Sequence, residues 1–90
     1  MKFNLTTNRN GHLQYHIGRQ LDLDSFFLLM ERVAKDFGAG LEFIAMPEAE
    51  IVKIRLTNGK IYAKFDFAYG VDIDCDGISP DQKIKLENFF

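Results

Sequence analysis

The chain has a single cysteine, Cys75, among its 90 residues. One thiol excludes an internal disulfide framework and any zinc site built from cysteines. Long apolar runs are also missing. The longest is Phe26 to Met30, far short of the ~20 residues that a membrane-crossing helix needs. After Met1-Lys2-Phe3 the chain turns polar at once, so it has no signal-peptide core, and a cytoplasmic location is the expectation. The Asn4-Leu5-Thr6 sequon then reads as chance. An excess of base is absent too. Eleven Lys plus Arg face thirteen Asp plus Glu, a net charge of −2, which argues against general nucleic-acid binding. No repeat, low-complexity tract or linker divides the chain, so residues 1–90 read as one domain. Nine phenylalanines and three tyrosines supply the large side chains that a short chain needs for its core.

One helix is well signalled. Asp24 as cap, Ser25 to Phe37 as body and Gly38 with Gly40 as terminator frame it. Phe26, Leu29, Val33 and Phe37 recur at helical spacing, opposite Glu31, Arg32, Lys35 and Asp36. Ser79-Pro80-Asp81-Gln82 combines an N-cap, a proline at the first helical position and a capping-box glutamine, so a short C-terminal helix should follow.

The remainder alternates at period two. Asn58-Gly59 as a two-residue hairpin loop pairs Leu56 with Ile61 and Lys53 with Lys64. Ala68-Tyr69-Gly70 as a three-residue loop pairs Phe67 with Val71 and Phe65 with Ile73. Pro47 to Glu50 as a four-residue loop pairs Ala45 with Val52 and Phe43 with Ile54. At the N-terminus a three-residue loop, Arg9-Asn10-Gly11 with Gly11 left-handed, pairs Leu5 with Tyr15. The expected fold is α+β in the order ββαββββα: an N-terminal hairpin plus a four-stranded antiparallel meander packed on one amphipathic helix, with a short C-terminal helix.

These registers place three rows on the outward face. They are Glu42, Arg55, Tyr62, Asp76; then Ile44, Lys53, Lys64, Asp74; then Met46, Ile51, Asp66, Asp72. The first two rows largely cancel their charges, the ordinary condition of a solvated face. In the third, Asp66 opposes Asp72 without a cation, beside apolar Met46 and Ile51. An apolar patch rimmed by acids is the pattern of a protein-binding surface, unless Phe89 and Phe90 fold back over it. Residues 65–82 carry five acids and no Lys or Arg, whereas residues 1–20 carry three bases, two histidines and no acid. An acidic lobe of this kind would speed encounter with a basic partner.

Chemistry is thinner. Asp72-Ile73-Asp74-Cys75-Asp76-Gly77 matches the first half of a calcium loop, but Lys83 stands where the bidentate glutamate belongs. As a strand, Asp72 to Asp76 spans ~13 Å, too far to share an ion. His12 and His16 are separated by the same ~13 Å if extended. Cys75 between two aspartates reads as a buried apolar residue, not a nucleophile. Lys53, Arg55, Lys60, Lys64 and Tyr62 could hold single-stranded nucleic acid, although Glu42, Asp74 and Asp76 would offset their field.

The leading functional expectation is a small non-catalytic protein-binding domain, with the profile of an acidic inhibitor or immunity-type protein for a basic partner. Asp66, Asp72, Asp74 and Asp76 would be its electrostatic contacts, and Met46, Ile51 and Tyr69 its apolar ones. The alternative is a self-associating structural domain using a sheet edge or the C-terminal tail. A weak metal- or nucleic-acid-binding module comes third, and no cofactor is implied.

Overall fold

A computed structural model describes residues 3–9, 12–18 and 21–90. The elements are β1 (Asn4–Arg9), β2 (His12–Ile17), α1 (Leu23–Asp36), β3 (Leu41–Met46), β4 (Ala49–Arg55), β5 (Lys60–Asp66), β6 (Gly70–Asp76) and α2 (Pro80–Glu87). The fold is therefore α+β in the expected order ββαββββα. All six strands form one antiparallel sheet in the order β1-β2-β6-β5-β4-β3. The N-terminal hairpin docks on β6, the last strand of the meander, which leaves β1 and β3 as the two edges.

α1 starts two residues earlier than its sequence signal. Asp22, not Asp24, is the N-cap: its carboxylate accepts the Ser25 amide at 2.8 Å, and that bond lowers the Asp22 pKa. Asp24 falls instead in the first turn, where the helix dipole also favours an acid. At the other end Gly38 takes φ +64, and the Gly38 and Ala39 amides bond back to the Lys35 and Ala34 carbonyls. This is the Schellman arrangement, open to glycine because it has no Cβ. α2 begins as its capping box requires, with Ser79 and Gln82 exchanging side chain-to-backbone bonds.

One face of the sheet and the apolar stripe of α1 build the core. Leu13, Tyr15 and Ile17 from β2 lie beside Val71, Ile73 and Cys75 from β6, then Ile61 and Ala63 from β5 and Val52 and Ile54 from β4. Phe26, Leu29, Met30, Val33 and Ala34 cover them from α1. Burying such side chains contributes about 1.5–3 kcal/mol each, the main stabilisation of a chain this size. The C-terminal tail joins this face. Phe90 is buried and packs edge-on against Phe3 and Tyr15. The tail therefore lies on the opposite side of the sheet from Ile44, Met46 and Ile51 and does not cover them.

Every meander hairpin is offset from its expected pairing by two residues. β3–β4 turns through Pro47-Glu48 alone, pairing Phe43 with Val52 and Leu41 with Ile54. β4–β5 closes at Arg55 with Lys60, pairing Ile54 with Ile61 and Lys53 with Tyr62. β5–β6 closes at Asp66 with Gly70, pairing Phe65 with Val71. Because a two-residue slip preserves the side-chain period, each residue keeps its expected face while its neighbours change. In the N-terminal hairpin Leu5 does pair with Tyr15, but an irregularity between Leu5 and Thr7 shifts the ladder so that Arg9 pairs with His12. The expected left-handed Gly11 lies outside the described residues.

Asn58-Gly59 explains one of these offsets. A two-residue type I′ turn needs positive φ at both central positions, and Gly59 is not among the positive-φ glycines. The Leu56 amide instead bonds the Gly59 carbonyl at 2.8 Å. Asn58 donates to the Gly77 carbonyl at 2.8 Å and bonds the Gln82 amide group, tying this hairpin to the start of α2. Gly59 is required for the approach itself, since a Cβ there would lie 2.0 Å from the Asp76 carbonyl oxygen.

Candidate functional site

The observed pairings regroup the outward face. β6 presents Asp72, Asp74 and Asp76. On one side β2 sets His16, Gln14 and His12 against them, and on the other β5 sets Lys64, Tyr62 and Lys60. Asp72 bonds His16 Nδ1 at 2.7 Å, and Asp76 lies 3.3 Å from His12 Nδ1. The two outer acids thus sit in the middle of the sheet between a histidine and a lysine, and Asp74 between Gln14 and Tyr62. Asp66 does not oppose Asp72, as the expected row had it. It pairs with Gly70, and its carboxylate accepts the Ala68 and Tyr69 amides at 2.8 and 3.0 Å, closing the turn of residues 67–69.

Several chemical candidates change meaning with this geometry. The D-x-D-x-D-G segment is strand β6, its aspartates alternating with buried Val71, Ile73 and Cys75. Among the described residues no group of three His, Cys, Asp or Glu side chains is placed to hold a metal ion. Burial, with help from Asp74 and Asp76, pushes the Cys75 thiol up to about 12, which keeps it protonated and unreactive. The Lys53 and Lys60 amines lie 5.2 and 5.3 Å from the centre of the Tyr62 ring. That ring already carries two ammonium groups, and Glu42 and Asp76 pair directly with the same two lysines.

The apolar surface is where the structure departs most from an ordinary solvated face. Eight large apolar side chains are exposed among the described residues, and five belong to β3 or the β5–β6 turn: Phe43, Ile44, Met46, Phe67 and Tyr69. The β3–β4 and β5–β6 turns touch, the Phe67 amide bonding the Glu48 carbonyl at 3.3 Å. Between them a shallow hollow of about 280 Å³ is lined by Met46, Pro47, Glu48, Ala49, Lys64 and Asp66.

No family model, curated protein or solved structure matches the chain.

On the helix side the exposed rings are held from beneath. Phe43 packs on Phe27, Phe27 on Phe26, Phe26 on Phe65 and Phe65 on Phe67, with centroids 5.4–5.8 Å apart. A chain of aromatic contacts therefore runs from the open edge over α1 to the β5–β6 turn. Such contacts fix ring positions beyond what area burial alone would do. Of the residues expected to bind a partner, Met46, Tyr69 and Asp66 gather at this end. Ile51 is half-buried in the row Ile44-Ile51-Lys64-Asp72, and Asp72, Asp74 and Asp76 lie along β6. Alternation places Phe43 and Phe67 on the apolar face, but a period of two cannot tell an interior strand from an edge or a turn, and both are exposed. The available signal was position, since both adjoin a turn or a strand with no partner.

Proposed function

We propose that this chain is a small non-catalytic protein-binding domain whose contact surface is the end of the sheet formed by the β3–β4 and β5–β6 turns. The observation that carries the reading is the shallow hollow between the two touching turns, with exposed Met46 in its lining and Phe67 and Tyr69 on the adjoining β5–β6 turn, Tyr69 being 74% exposed. Isolated surface apolar residues are common, but several gathered at one end of a sheet, aromatic ones among them, favour an interaction site. Glu48 and Asp66 in its lining, against Lys64, give it an acidic margin. A partner with an apolar anchor flanked by Lys or Arg suits that surface, which is the profile of a small inhibitor of a basic protein. Asp72 and Asp76 would add less long-range field than their number implies, since Lys64 and Lys60 stand opposite them, while Asp74 has His12 Nε2 at 3.9 Å.

Capture from the native host tests the reading. Wild type, a Phe67→Ser/Tyr69→Ser double variant and an Asp66/Asp72/Asp74→Asn triple variant would be compared. The wild type should recover a specific protein, the double variant should lose it, and the triple variant should hold it less well at low salt. Equal recovery by wild type and the double variant would remove this end of the sheet as the site.

A further inference from the structure

The two edges of the sheet are built differently. β1 carries Asn4, Thr6, Asn8 and Arg9 and an irregularity between Leu5 and Thr7, features that discourage edge-to-edge pairing. β3 is Leu-Glu-Phe-Ile-Ala-Met, regular along its length, with one charge and no proline or lysine. All of its residues but Leu41 are exposed. Bare backbone donors and acceptors beside apolar side chains accept an extended strand, not a helix or a flat surface.

The backbone geometry says which groups are free. A two-residue β-turn closes on a hydrogen-bonded flanking pair, here Met46 with Ala49, and bonded pairs alternate from there along an antiparallel ladder. Ile44 and Glu42 are then bonded inward to β4, and the amides and carbonyls of Leu41, Phe43 and Ala45 point outward.

We propose that β3 pairs antiparallel with β3 of a second copy of this chain, about a two-fold axis at Phe43. In that register Leu41 bonds Ala45 of the second copy, Phe43 bonds Phe43, and Ala45 bonds Leu41, so every outward backbone group of the strand is used. Centring one residue later, at Ile44, leaves Leu41 without a bonded partner. Centring at Glu42 sets the two carboxylates directly against each other. The Phe43 register places Glu42 opposite Ile44 and keeps Lys53 of its own sheet at its side. On the helix face the two Phe43 rings meet across the axis, each backed by Phe27. Residues of the same parity face each other, so both copies keep α1 on the same side and the two sheets become one. This contact uses the edge of β3, whereas the proposed partner docks at the turns, so each can fail without the other.

Sedimentation equilibrium from about 1 µM to about 1 mM reads the association directly. Wild type should rise about twofold in mass across that range. Ala45→Pro removes one outward N–H without touching the bonds to β4, which proline on an edge strand permits. It should stay monomeric while keeping its far-UV circular dichroism. If that variant fails to fold, hydrogen exchange of the wild type decides, since the Leu41, Phe43 and Ala45 amides should become protected as concentration rises. Phe67→Ser/Tyr69→Ser should dimerise like wild type. A constant monomer mass, a mass rise undiminished in folded Ala45→Pro, or exchange at those three amides independent of concentration would each overturn the proposal.

Discussion

Replacing Gly59 with alanine puts a methyl group 2.0 Å from the Asp76 carbonyl oxygen and 2.9 Å from the Gly77 carbonyl carbon. Both are backbone atoms, so no side chain can swing aside to make room. The β4–β5 hairpin end must move away from the β6–α2 junction, and the Asn58 bonds to Gly77 and Gln82 go with it. Overpacking against rigid structure costs about 1–3 kcal/mol, and each exposed hydrogen bond contributes roughly 0.5–1 kcal/mol. The expected loss is roughly 2–4 kcal/mol. For a domain of this length that lowers Tm by about 10–25 °C. Two companion variants separate the causes. Asn58→Ala removes the bonds without the clash and should cost about 1–2 kcal/mol. Gly40→Ala has open space around its added methyl and should leave Tm within about 2–4 °C of wild type, on the order of a surface substitution. Scanning calorimetry on the three variants and wild type measures all of this. If Gly59→Ala melts with Gly40→Ala, the close approach at Asp76 is not a feature of the folded protein.

Two further outcomes follow from groups whose titration the fold perturbs. Partial burial alone would raise the Glu87 pKa, but the Lys83 ammonium at 2.7 Å and the Tyr15 hydroxyl outweigh it and hold the carboxylate below its ordinary range. Burial and the same carboxylate push the Tyr15 phenol far up, so it stays a donor at any ordinary pH. A depressed folded pKa means that Glu87 stabilises fully above the unfolded carboxylate range and loses that contribution as pH falls through the folded value. The urea midpoint of wild type should therefore fall between pH 5 and pH 2, values spanning about that range, and Glu87→Gln should fall less steeply. Equal slopes would show that the Tyr15–Glu87–Lys83 group does not respond to acid. Cys75, buried and held protonated, should resist a thiol reagent such as dithionitrobenzoate at pH 8 until denaturant opens the core. Reaction of the native protein at the rate of a free thiol would contradict its placement.

Element type and face were legible because they depend on periodicity, and periodicity survives small errors. Val52 and Ile54 point inward, and Lys53 and Arg55 outward, under either the expected or the observed pairing. Which residue sits beside which depends on turn chemistry instead, and the short signals misled there in specific ways. Asn58-Gly59 has the composition of a tight hairpin, yet its asparagine and glycine serve contacts with Gly77, Gln82 and Asp76, all distant in sequence. Pro47-Glu48 closes β3 onto β4 alone, while Ala49 and Glu50 continue the strand. Asp22 and Asp24 both satisfy the rule for a helix cap, and only the extended backbone at Asp22 selects between them. In the tail, Ile84, Leu86, Phe89 and Phe90 follow no helical stripe because α2 ends at Glu87. Leu86 is buried from the helix and Phe90 from the chain beyond it.

The charge asymmetry between the two ends of the chain carried information of a different kind from a surface field. Acids at Asp72, Asp74 and Asp76 recur at period two, so they lie along one face of one strand. Strands beside that one must then present bases or neutral groups, because like charges directly opposite are destabilising. The β5–β6 hairpin supplies Lys64, Tyr62 and Lys60 on one side. The other side must come from a strand outside the meander or from β3. β3 offers Glu42 with two apolar residues, and β1 offers one base, Arg9, at its end and an irregular ladder. β2, with His12, Gln14 and His16 spaced at the same period, is the complementary strand. The observed order β2-β6-β5 places each outer aspartate on a histidine, at 2.7 Å for His16 and 3.3 Å for His12. Segments of opposite sign, each alternating at period two, specify which strands are neighbours, and their pairing consumes locally the field that their separation in sequence would suggest.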